Sequence, residues 1–444
     1  MSNIIMKQTT TEHISEIIGF LNQKADYAVL RNFEGLPDKN NSRDIDIIIT
    51  RESYKKIKKE LVELIDKSGW KILTYLHSDR LITYVCATTT EEATEIVQWD
   101  FFFDTSVWGI QLMSAEEFLA HKQFNGFLYY VGAEGQFLDK YLYNRAVGSK
   151  YPEKYRATRE AAEASPIVKD KLLAIFGYSS TNECDKVSGK KLLLAALWAN
   201  AKKRPLALIC SIIYFLYTFI GNYICSRTGV SIGFTGPDGS GKTTVIDMLL
   251  ERIAPVFKTA HKYYHFRPTL FGNLGDVAQQ AGIKKEVDRD YSNPHRGGKT
   301  GRLSSLARLV YYSIDYIAGY FVKVKTAIRI TRVVVFDRYY TDIICDSRRS
   351  RIYLNTKFLY WWGKLFIPSL NYNILLTASS DSILARKREL DKEGIDTINS
   401  KIDYLCDKPG YRKVLNEKAP QVAVNELLSY IFEEQHKKNL KRLK

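Results

Sequence analysis

Cysteine is scarce in this sequence, and its spacing excludes two kinds of site. The 444 residues include six cysteines, and no two of them have the Cys-x-x-Cys spacing. The pattern therefore argues against a zinc site and against a disulfide framework. The first residues, MSNIIMKQTTTEH, also lack the basic and then apolar layout of a secretory signal. We expect a protein of the reducing cytoplasm.

Acidic residues are in deficit, and this deficit favours anionic partners. There are 49 acidic residues against 65 lysines and arginines, which gives a formal net charge of +16 at pH 7. Nucleotides, phosphorylated sugars, acidic membrane surfaces and nucleic acids all fit that balance. No aromatic-basic stacking platform or recognition-helix motif accompanies the cations, so nucleic acid is disfavoured. The length predicts at least two domains.

A phosphate-binding loop lies in the second half of the chain. Residues 236–244 read GPDGSGKTT, between the strand-like GVSIGFT and the helix-like VIDMLLERI. Glycines let backbone N–H groups converge on phosphate oxygens, and a helix N-terminus favours the same anions. Lys242 would reach the β- and γ-phosphates, and the Thr243 hydroxyl would hold Mg²⁺. The alternative is a chance glycine-rich turn. The predicted ATP-binding residues are Gly236, Asp238, Gly239, Ser240, Gly241, Lys242, Thr243 and Thr244.

Two further segments supply charges that phosphoryl transfer needs. The apolar run RVVVF ends in Asp337-Arg338, where a buried parallel strand would meet the ligand crevice. Asp337 would hold the metal, and Arg338 would clamp a phosphate group of the acceptor. After the strand-like NYNILLTA, Arg386 and Arg388 lie in a basic stretch that would close over the transferred group. The alternatives are a solvated strand end and a solvated basic helix face.

Together, GPDGSGKTT, FDRYY and ARKREL resemble the thymidylate kinase family of P-loop kinases, over residues 229–436. The resemblance implies an α/β fold with a parallel sheet flanked by helices, and ATP and Mg²⁺ as cofactors. It also implies that Asp337 and Arg338 face the acceptor, and that Arg386 and Arg388 form the lid.

This sequence departs from the family where the family binds thymidine. The Arg-Glu-Pro-Gly-Gly stretch is replaced by YYHFRPTLFGN, and the Ser and Ala-Tyr-Gln pyrimidine contacts are replaced by TDIICDSRRSRIY. The stretches HFRP, NPH and YYSIDYIAGY are similar to a divergent branch that is linked to bacterial surface polysaccharide synthesis. A structural role is the alternative for each histidine. The candidate acceptor contacts are His265, Arg267, His295 and Tyr339.

The first 150 residues contain three aspartates with a metal-site layout. Asp44 and Asp46 begin an apolar strand, so their carboxylates project to the same side. Asp100 follows another strand-like run, TEIVQWD. Such carboxylates commonly hold Mg²⁺ against a triphosphate.

This layout resembles the polymerase-β-like nucleotidyltransferase fold over residues 10–125, which implies an α+β domain with Asp44, Asp46 and Asp100 as metal ligands. The Gly-Ser that usually precedes the first aspartate is replaced by Gly35-Leu36. Nearby polar substitutes are Asn40, Asn41 and Ser42. Catalysis, substrate holding by a degenerate domain and capping of an edge strand all remain open interpretations.

A basic, helical connector is predicted over residues 151–228. Its segment 205–225, PLALICSIIYFLYTFIGNYIC, carries no charge and is long enough to span a membrane. A span would place the two flanking domains on opposite sides of the membrane, although both are expected to handle nucleotides in the cytoplasm. A helix at an anionic membrane surface, at the inner face of the cytoplasmic membrane, avoids that conflict. A helix buried between the domains avoids it as well.

The sequence thus predicts three parts: a nucleotidyltransferase-like domain over 1–150, the connector over 151–228, and a thymidylate kinase-like domain over 229–444. The leading hypothesis is Mg²⁺-assisted transfer of the γ-phosphoryl group of ATP. The acceptor would be a nucleoside monophosphate or a sugar or glycan intermediate. One alternative is a binding module that ATP operates without phosphoryl transfer. The other is nucleotidyl transfer by the first domain as the main activity.

Overall fold

The structure is a computed structural model that contains two compact units. The first comprises Met1–Ser226 and Gln435–Lys444, and the second comprises Arg227–Glu434. Residues 9–40, 42–225, 228–257, 261–270, 301–330, 332–387 and 390–443 are described. Of the connector that the sequence predicts over residues 151–228, residues 151–226 belong to the first unit.

The first unit contains a seven-stranded mixed sheet. Its strands are β1 (Tyr27–Val29), β2 (Asp44–Ile49), β3 (Lys71–His77), β4 (Leu81–Thr89), β5 (Thr94–Phe102), β8 (Lys122–Phe124) and β9 (Tyr129–Val131), and a separate hairpin pairs β6 (Asp104–Val107) with β7 (Ile110–Ser114). The spatial order in the sheet is β3-β4-β5-β2-β1-β9-β8. β2 runs parallel to β5, and β1 runs parallel to β9. The parallel pair β2–β5 is what brings the predicted aspartates together.

Nine α-helices begin and end in the described part of this unit. They are α1 (Thr10–Lys24), α2 (Arg51–Lys67), α3 (Ala115–Leu119), α4 (Ala133–Ala146), α5 (Arg156–Ala162), α6 (Pro166–Phe176), α7 (Thr181–Lys186), α8 (Gly189–Lys203) and α9 (Pro205–Cys225). α1 starts with a capping box, in which Thr9 and Glu12 satisfy each other's backbone N–H groups. One apolar core contains Trp70 and Trp99, and a second contains apolar residues of α4, α6 and α8.

The second unit is built on a parallel sheet of five strands. They are β10 (Val230–Thr235), β11 (Lys262–His265), β12 (Val333–Asp337), β13 (Tyr372–Thr377) and β14 (Tyr411–Leu415). Their order is β11-β12-β10-β13-β14, and every neighbouring pair is parallel. All residues of β10 and β12 are buried, as expected for a parallel sheet covered on both faces.

Helices flank this parallel sheet. They are α10 (Lys242–Ile253), α11 (Arg302–Gly319), α12 (Lys325–Arg329), α13 (Tyr340–Cys345), α14 (Ser347–Ser350), α15 (Thr356–Phe366), α16 (Ser380–Arg386), α17 (Lys392–Cys406) and α18 (Pro420–Leu443). The predicted fold class is confirmed: the second unit has a parallel sheet flanked by helices, and the N-terminal part contains a second sheet. The nucleotidyltransferase likeness of the first unit stays a prediction.

The end of α18 explains why the last residues belong to the first unit. The His436 ring accepts a hydrogen bond from the backbone N–H of Ile72 at 3.0 Å through Nδ1, and its Nε2 lies 2.9 Å from Asp66. Asn439 donates to the Ile72 carbonyl at 2.9 Å. These contacts tie the C-terminal residues to β3 and to the end of α2.

Candidate functional site: a phosphate-binding loop at the end of a parallel strand

The loop between β10 and α10 has a backbone that requires glycine. Gly241 has a φ of +85° and directly precedes α10. A side chain at Gly236 would overlap the Leu376 carbonyl oxygen, so only glycine fits there. Gly239 also has a φ of +85°. The loop thus turns sharply from a buried strand into a helix N-terminus, where backbone N–H groups favour anions.

The side chain of Lys242 is buried inside this loop. Its ammonium donates hydrogen bonds to the carbonyl oxygens of Gly236 at 2.8 Å and Pro237 at 2.9 Å. Burial, aided by the neighbouring positive charge of Arg338, lowers the pKa of Lys242 to about 8. No carboxylate is among the hydrogen-bond partners that the structure gives this ammonium. The described hydrogen bonds of this ammonium therefore leave it without a direct carboxylate partner.

The hydroxyl groups of the loop differ in exposure. Ser240 is buried, and its Oγ has no hydrogen-bond partner within the described ranges. Its carbonyl accepts a hydrogen bond from Asn416 at 2.9 Å. Thr243 and Thr244, in the first turn of α10, are exposed. Thr243 therefore has the accessibility that a metal-ligating hydroxyl needs.

Asp337 ends β12, the strand that pairs with β10 in parallel register. Its Cα partner on β10 is Phe234, next to the loop. The carboxylate is buried, and its Oδ2 accepts a hydrogen bond from the Tyr263 hydroxyl at 3.0 Å. Its Oδ1 has no hydrogen-bond partner among the residues that the structure describes. An unsatisfied buried carboxylate oxygen fits a divalent cation or one of its waters.

Arg338 forms ion pairs with two carboxylates. Its guanidinium pairs with Asp238 of the loop and, at 2.8 Å, with Asp342. Burial disfavours its charge, but Asp342 and Asp238 outweigh that effect and raise the pKa of Arg338 above its usual value. The sequence predicts an acceptor clamp at this position. In the structure Arg338 instead links the loop to α13.

Arg349 is a site residue that sequence reasoning missed. It also pairs with Asp238, and it lies on α14. The run RRSR at 348–351 was the available signal, but an arginine-rich run does not say which carboxylate it reaches. Asp238 thus accepts from two arginines, and the loop carries a compact cluster of opposite charges.

The candidate acceptor residues divide by burial. His265 is exposed at the end of β11, where its Cα partner is Asp337. Arg267 is buried and pairs with the fully buried Asp315 at 2.7 Å. Tyr339 is also buried, with its hydroxyl donating to the Pro368 carbonyl at 2.8 Å. The side chains of Arg267 and Tyr339 are thus buried and have partners inside the protein, whereas the side chain of His265 is accessible. His295 lies outside the described residues.

The predicted lid residues lie at the end of α16. Arg386 is its last residue and is exposed. A Cβ placed on Gly239 would lie 3.2 Å from the Cβ of Lys387 and 3.2 Å from the carbonyl oxygen of Ile383. The end of α16 therefore packs against the phosphate-binding loop. Arg388 lies outside the described residues.

The three aspartates of the first unit also come together. Oxygen atoms of Asp44, Asp46 and Asp100 lie within 4.8 Å of one another. Asp46 and Asp100 are Cα partners in the parallel β2–β5 pair. Thr83 and Gln98 donate to the Asp100 carboxylate at 2.6 and 2.8 Å. Three carboxylates at this separation are a donor set suited to Mg²⁺.

Arg31 alters the electrostatics that the sequence predicts for this cluster. Its guanidinium lies 2.5 Å from Asp46 and 2.7 Å from Asp139. Burial raises the pKa of Asp46 to about 6, although the charge of Arg31 opposes that shift. Part of the repulsion between the carboxylates is therefore relieved by a protein cation. Ser42 donates to Asp44, and Asn41 lies outside the described residues.

Comparisons with known proteins identify similar solved structures and no family. No known protein-family profile matches the chain. No curated protein matches it either. Two solved structures similar to this chain are thymidylate kinases. One, from Candida albicans, has 18% identity and a TM-score of 0.34, and the match covers 47% of this chain and 93% of that one. The other, from Ehrlichia chaffeensis, has 15% identity and a TM-score of 0.31, and covers 45% and 98%.

Proposed function

We propose that the protein is an ATP-dependent phosphotransferase whose second unit transfers the γ-phosphoryl group of ATP. The observation that carries this proposal is the buried Lys242 ammonium, held only by loop carbonyls at 2.8 and 2.9 Å among the hydrogen bonds that the structure describes. The carboxylates of Asp238, Asp337 and Asp342 favour this charge. None of them is among its described hydrogen-bond partners, so a polyphosphate oxygen would supply a direct counter-charge to a costly buried cation.

The residues around Lys242 are given distinct roles in this proposal. The Thr243 hydroxyl and Asp337 Oδ1 would hold Mg²⁺, because the first is exposed and the second lacks a described partner. A bound Mg²⁺ would neutralise charge that develops on the phosphate oxygens. Asp238, fixed by Arg338, would hold the loop in shape. Arg386 and Arg388 would close over the transferred group.

The acceptor in this proposal is a nucleoside monophosphate or a sugar or glycan intermediate. His265 is the candidate contact whose exposure leaves it available to such a molecule. The segments that contact thymidine in the thymidylate kinase family are replaced by others in this sequence. This difference favours a sugar or glycan acceptor, and with it a role in surface polysaccharide synthesis.

Turnover with a labelled γ-phosphate tests the proposal. Purified wild type would be incubated with Mg²⁺, labelled ATP and a panel of nucleoside monophosphates, sugar phosphates and lipid-linked glycans. We expect one acceptor class to become labelled, and Lys242→Ala to lower the rate at least about 100-fold. Lys364→Ala is the control, because Lys364 is an exposed lysine on α15 of the same unit.

Two results would contradict the proposal. Near-normal turnover in Lys242→Ala would remove the loop from the chemistry. Consumption of ATP without any labelled acceptor would favour the alternative in which ATP operates a binding module.

A second candidate function is nucleotidyl transfer by the first unit. It is favoured by the approach of Asp44, Asp46 and Asp100 to within 4.8 Å. ATP labelled on the α-phosphate would detect it, and Asp44→Asn should abolish incorporation while Lys242→Ala leaves it intact. Incorporation that survives in Asp44→Asn would reject this candidate.

A further inference from the structure

Helix α9 exposes an apolar face along its whole length. Its 21 residues, Pro205–Cys225, contain no charged side chain. Within the part of the chain that the structure describes, its segment Pro205–Ile224 is long and apolar enough to cross a membrane. Only 11% of the most apolar 18-residue stretch of this segment is buried. Nine large apolar side chains are between 48% and 78% exposed: Leu206, Ile209, Ile213, Leu216, Tyr217, Phe219, Ile220, Tyr223 and Ile224.

The opposite face of α9 is fixed to the first unit by specific contacts. The Tyr214 hydroxyl lies 2.9 Å from His77 Nε2, and Asn222 donates to the His77 carbonyl at 2.8 Å. A Cβ placed on Gly109 would lie 2.6 Å from the carbonyl oxygen of Ser211, so the β6–β7 turn touches the helix backbone. The exposed stripe recurs every three or four residues, as one face of a helix does.

These contacts decide between crossing a membrane and lying on it. If α9 spanned a bilayer in this arrangement, the imidazole of His77 and the turn at Gly109 would enter the hydrocarbon beside it. Loop backbone and polar side chains exposed to lipid are strongly unfavourable there. The exposed apolar face of α9 also distinguishes it from a helix buried inside the protein. A helix that lies in the plane of the interface fits both observations.

The charges of the chain segment that contains α8 and α9 indicate the sign of the partner. Residues 186–237 contain seven lysines and arginines and no acidic residue. Lys190, Lys191, Lys202 and Lys203 are exposed on α8, the helix that ends directly before α9. Trp198 on α8 is 65% exposed, and tryptophan favours the boundary between water and lipid. A second copy of this segment would bring cations without acidic residues to pair with them, whereas anionic headgroups would complement them.

We propose that α8 and α9 form a membrane-docking surface, with α9 lying in the interface of an anionic lipid bilayer. The apolar face of α9 enters the headgroup and acyl boundary, and the lysines of α8 meet anionic headgroups. The face of α9 that contacts His77 and Gly109 keeps these contacts with the first unit. This inference stands independently of the proposed phosphoryl transfer.

Vesicle sedimentation with the full chain tests the docking surface. The probes are vesicles of phosphatidylcholine alone and of phosphatidylcholine mixed with phosphatidylglycerol. We expect wild type to pellet with the mixed vesicles, and added salt to weaken that binding. Replacing three exposed lysines by glutamine should lower the partition coefficient about 100-fold. The lysines to be replaced are Lys190, Lys191 and Lys202.

Replacement of the apolar face has a matched control. Ile209→Gln, Ile213→Gln and Ile220→Gln are combined in one variant, and these side chains are 52% to 60% exposed. We expect binding to fall at least about 100-fold, because this area enters the lipid boundary. The control combines Val322→Gln, Leu365→Gln and Val422→Gln, which are 51% to 60% exposed in the second unit. The control should bind as wild type does, and circular dichroism should show that both variants are folded.

Several results would overturn the docking surface. Wild type that stays in the supernatant with mixed vesicles rejects it, as does a triple isoleucine variant that binds undiminished. If analytical ultracentrifugation shows a wild-type dimer that the isoleucine variant does not form, and wild type does not bind vesicles, the apolar face of α9 would instead be assigned to contact with a second copy of the chain. Resistance of the cellular protein to alkaline carbonate extraction would indicate a span. Phosphoryl transfer measured without vesicles should be the same in wild type and the isoleucine variant, so failure of the docking surface is distinguishable from failure of the proposed function.

Discussion

Lys242→Met should change how the stability of the second unit depends on pH. The pKa of Lys242 is lowered from 10.5 to about 8, chiefly by burial. Below about pH 8 the lysine is charged in both the folded and unfolded states, and the folded state carries an unfavourable free energy of about 3 kcal/mol. Between about pH 8 and about pH 10.5 the unfolded chain binds more protons, so the free energy of unfolding rises with pH. The variant should lack that rise.

The assay is urea denaturation read by pulsed proteolysis, with peptides of the second unit quantified by mass spectrometry. Wild type and the control Lys364→Met should gain about 3 kcal/mol of unfolding free energy between about pH 8 and about pH 10.5 relative to Lys242→Met. Because the ammonium also binds two loop carbonyls, the variant loses hydrogen bonds at every pH. The difference in slope is therefore the diagnostic quantity. An identical slope in all three proteins would refute a buried, loop-held ammonium.

Two other substitutions test buried features with matched controls. Arg31→Met leaves two carboxylates without their shared cation and should lower the unfolding free energy by about 3–5 kcal/mol. The control Arg156→Met also removes an arginine that pairs with two acidic residues, but this arginine lies on the surface, so urea denaturation should be nearly unchanged. Equal losses of unfolding free energy in the two variants would contradict the burial argument. Gly236→Ala should destabilise by about 1–3 kcal/mol and abolish ATP binding, because its methyl group meets a carbonyl oxygen. Gly19→Ala, in open space on α1, should stabilise by about 0.5–1 kcal/mol, and a similar response at both glycines would refute the loop packing.

The contiguous motifs were predictable because their information is local. The nine residues GPDGSGKTT specify a turn that only glycine can make and a helix N-terminus beside it. The run VVVF predicted a buried parallel strand, and such a strand ends at the ligand crevice, where Asp337 lies. Of the three aspartates of the first unit, Asp44 and Asp46 lie on β2, and Asp100 lies on the parallel neighbour β5. Alternation along a strand predicted that Asp44 and Asp46 project to the same side, whereas the approach of Asp100 was an expectation from the resemblance to the nucleotidyltransferase fold.

Contacts between distant residues were outside the reach of those patterns. Arg31 pairs with Asp46 across a strand pair and with Asp139 on α4, and no local spacing encodes either contact. The same holds for Arg349, which reaches Asp238 from a short helix after β12. Tyr339 follows the Asp-Arg pair in sequence, but its ring is buried, and the ring centroid lies 4.8 Å from that of Tyr316. Local sequence thus predicted the loop and the strand end that lie side by side, but not which side chains have partners inside the protein.

Proton uptake on binding of Mg²⁺-ATP tests most directly that polyphosphate meets the Lys242 ammonium. Calorimetric titrations at about pH 9, in two buffers of different ionisation enthalpy, report the protons taken up. The account predicts binding to wild type with uptake approaching one proton, because a bound anion raises the lysine pKa. Lys242→Met should bind at least about 10-fold more weakly without that uptake. Equal affinity in the two proteins, or binding to wild type without proton uptake, would contradict the account.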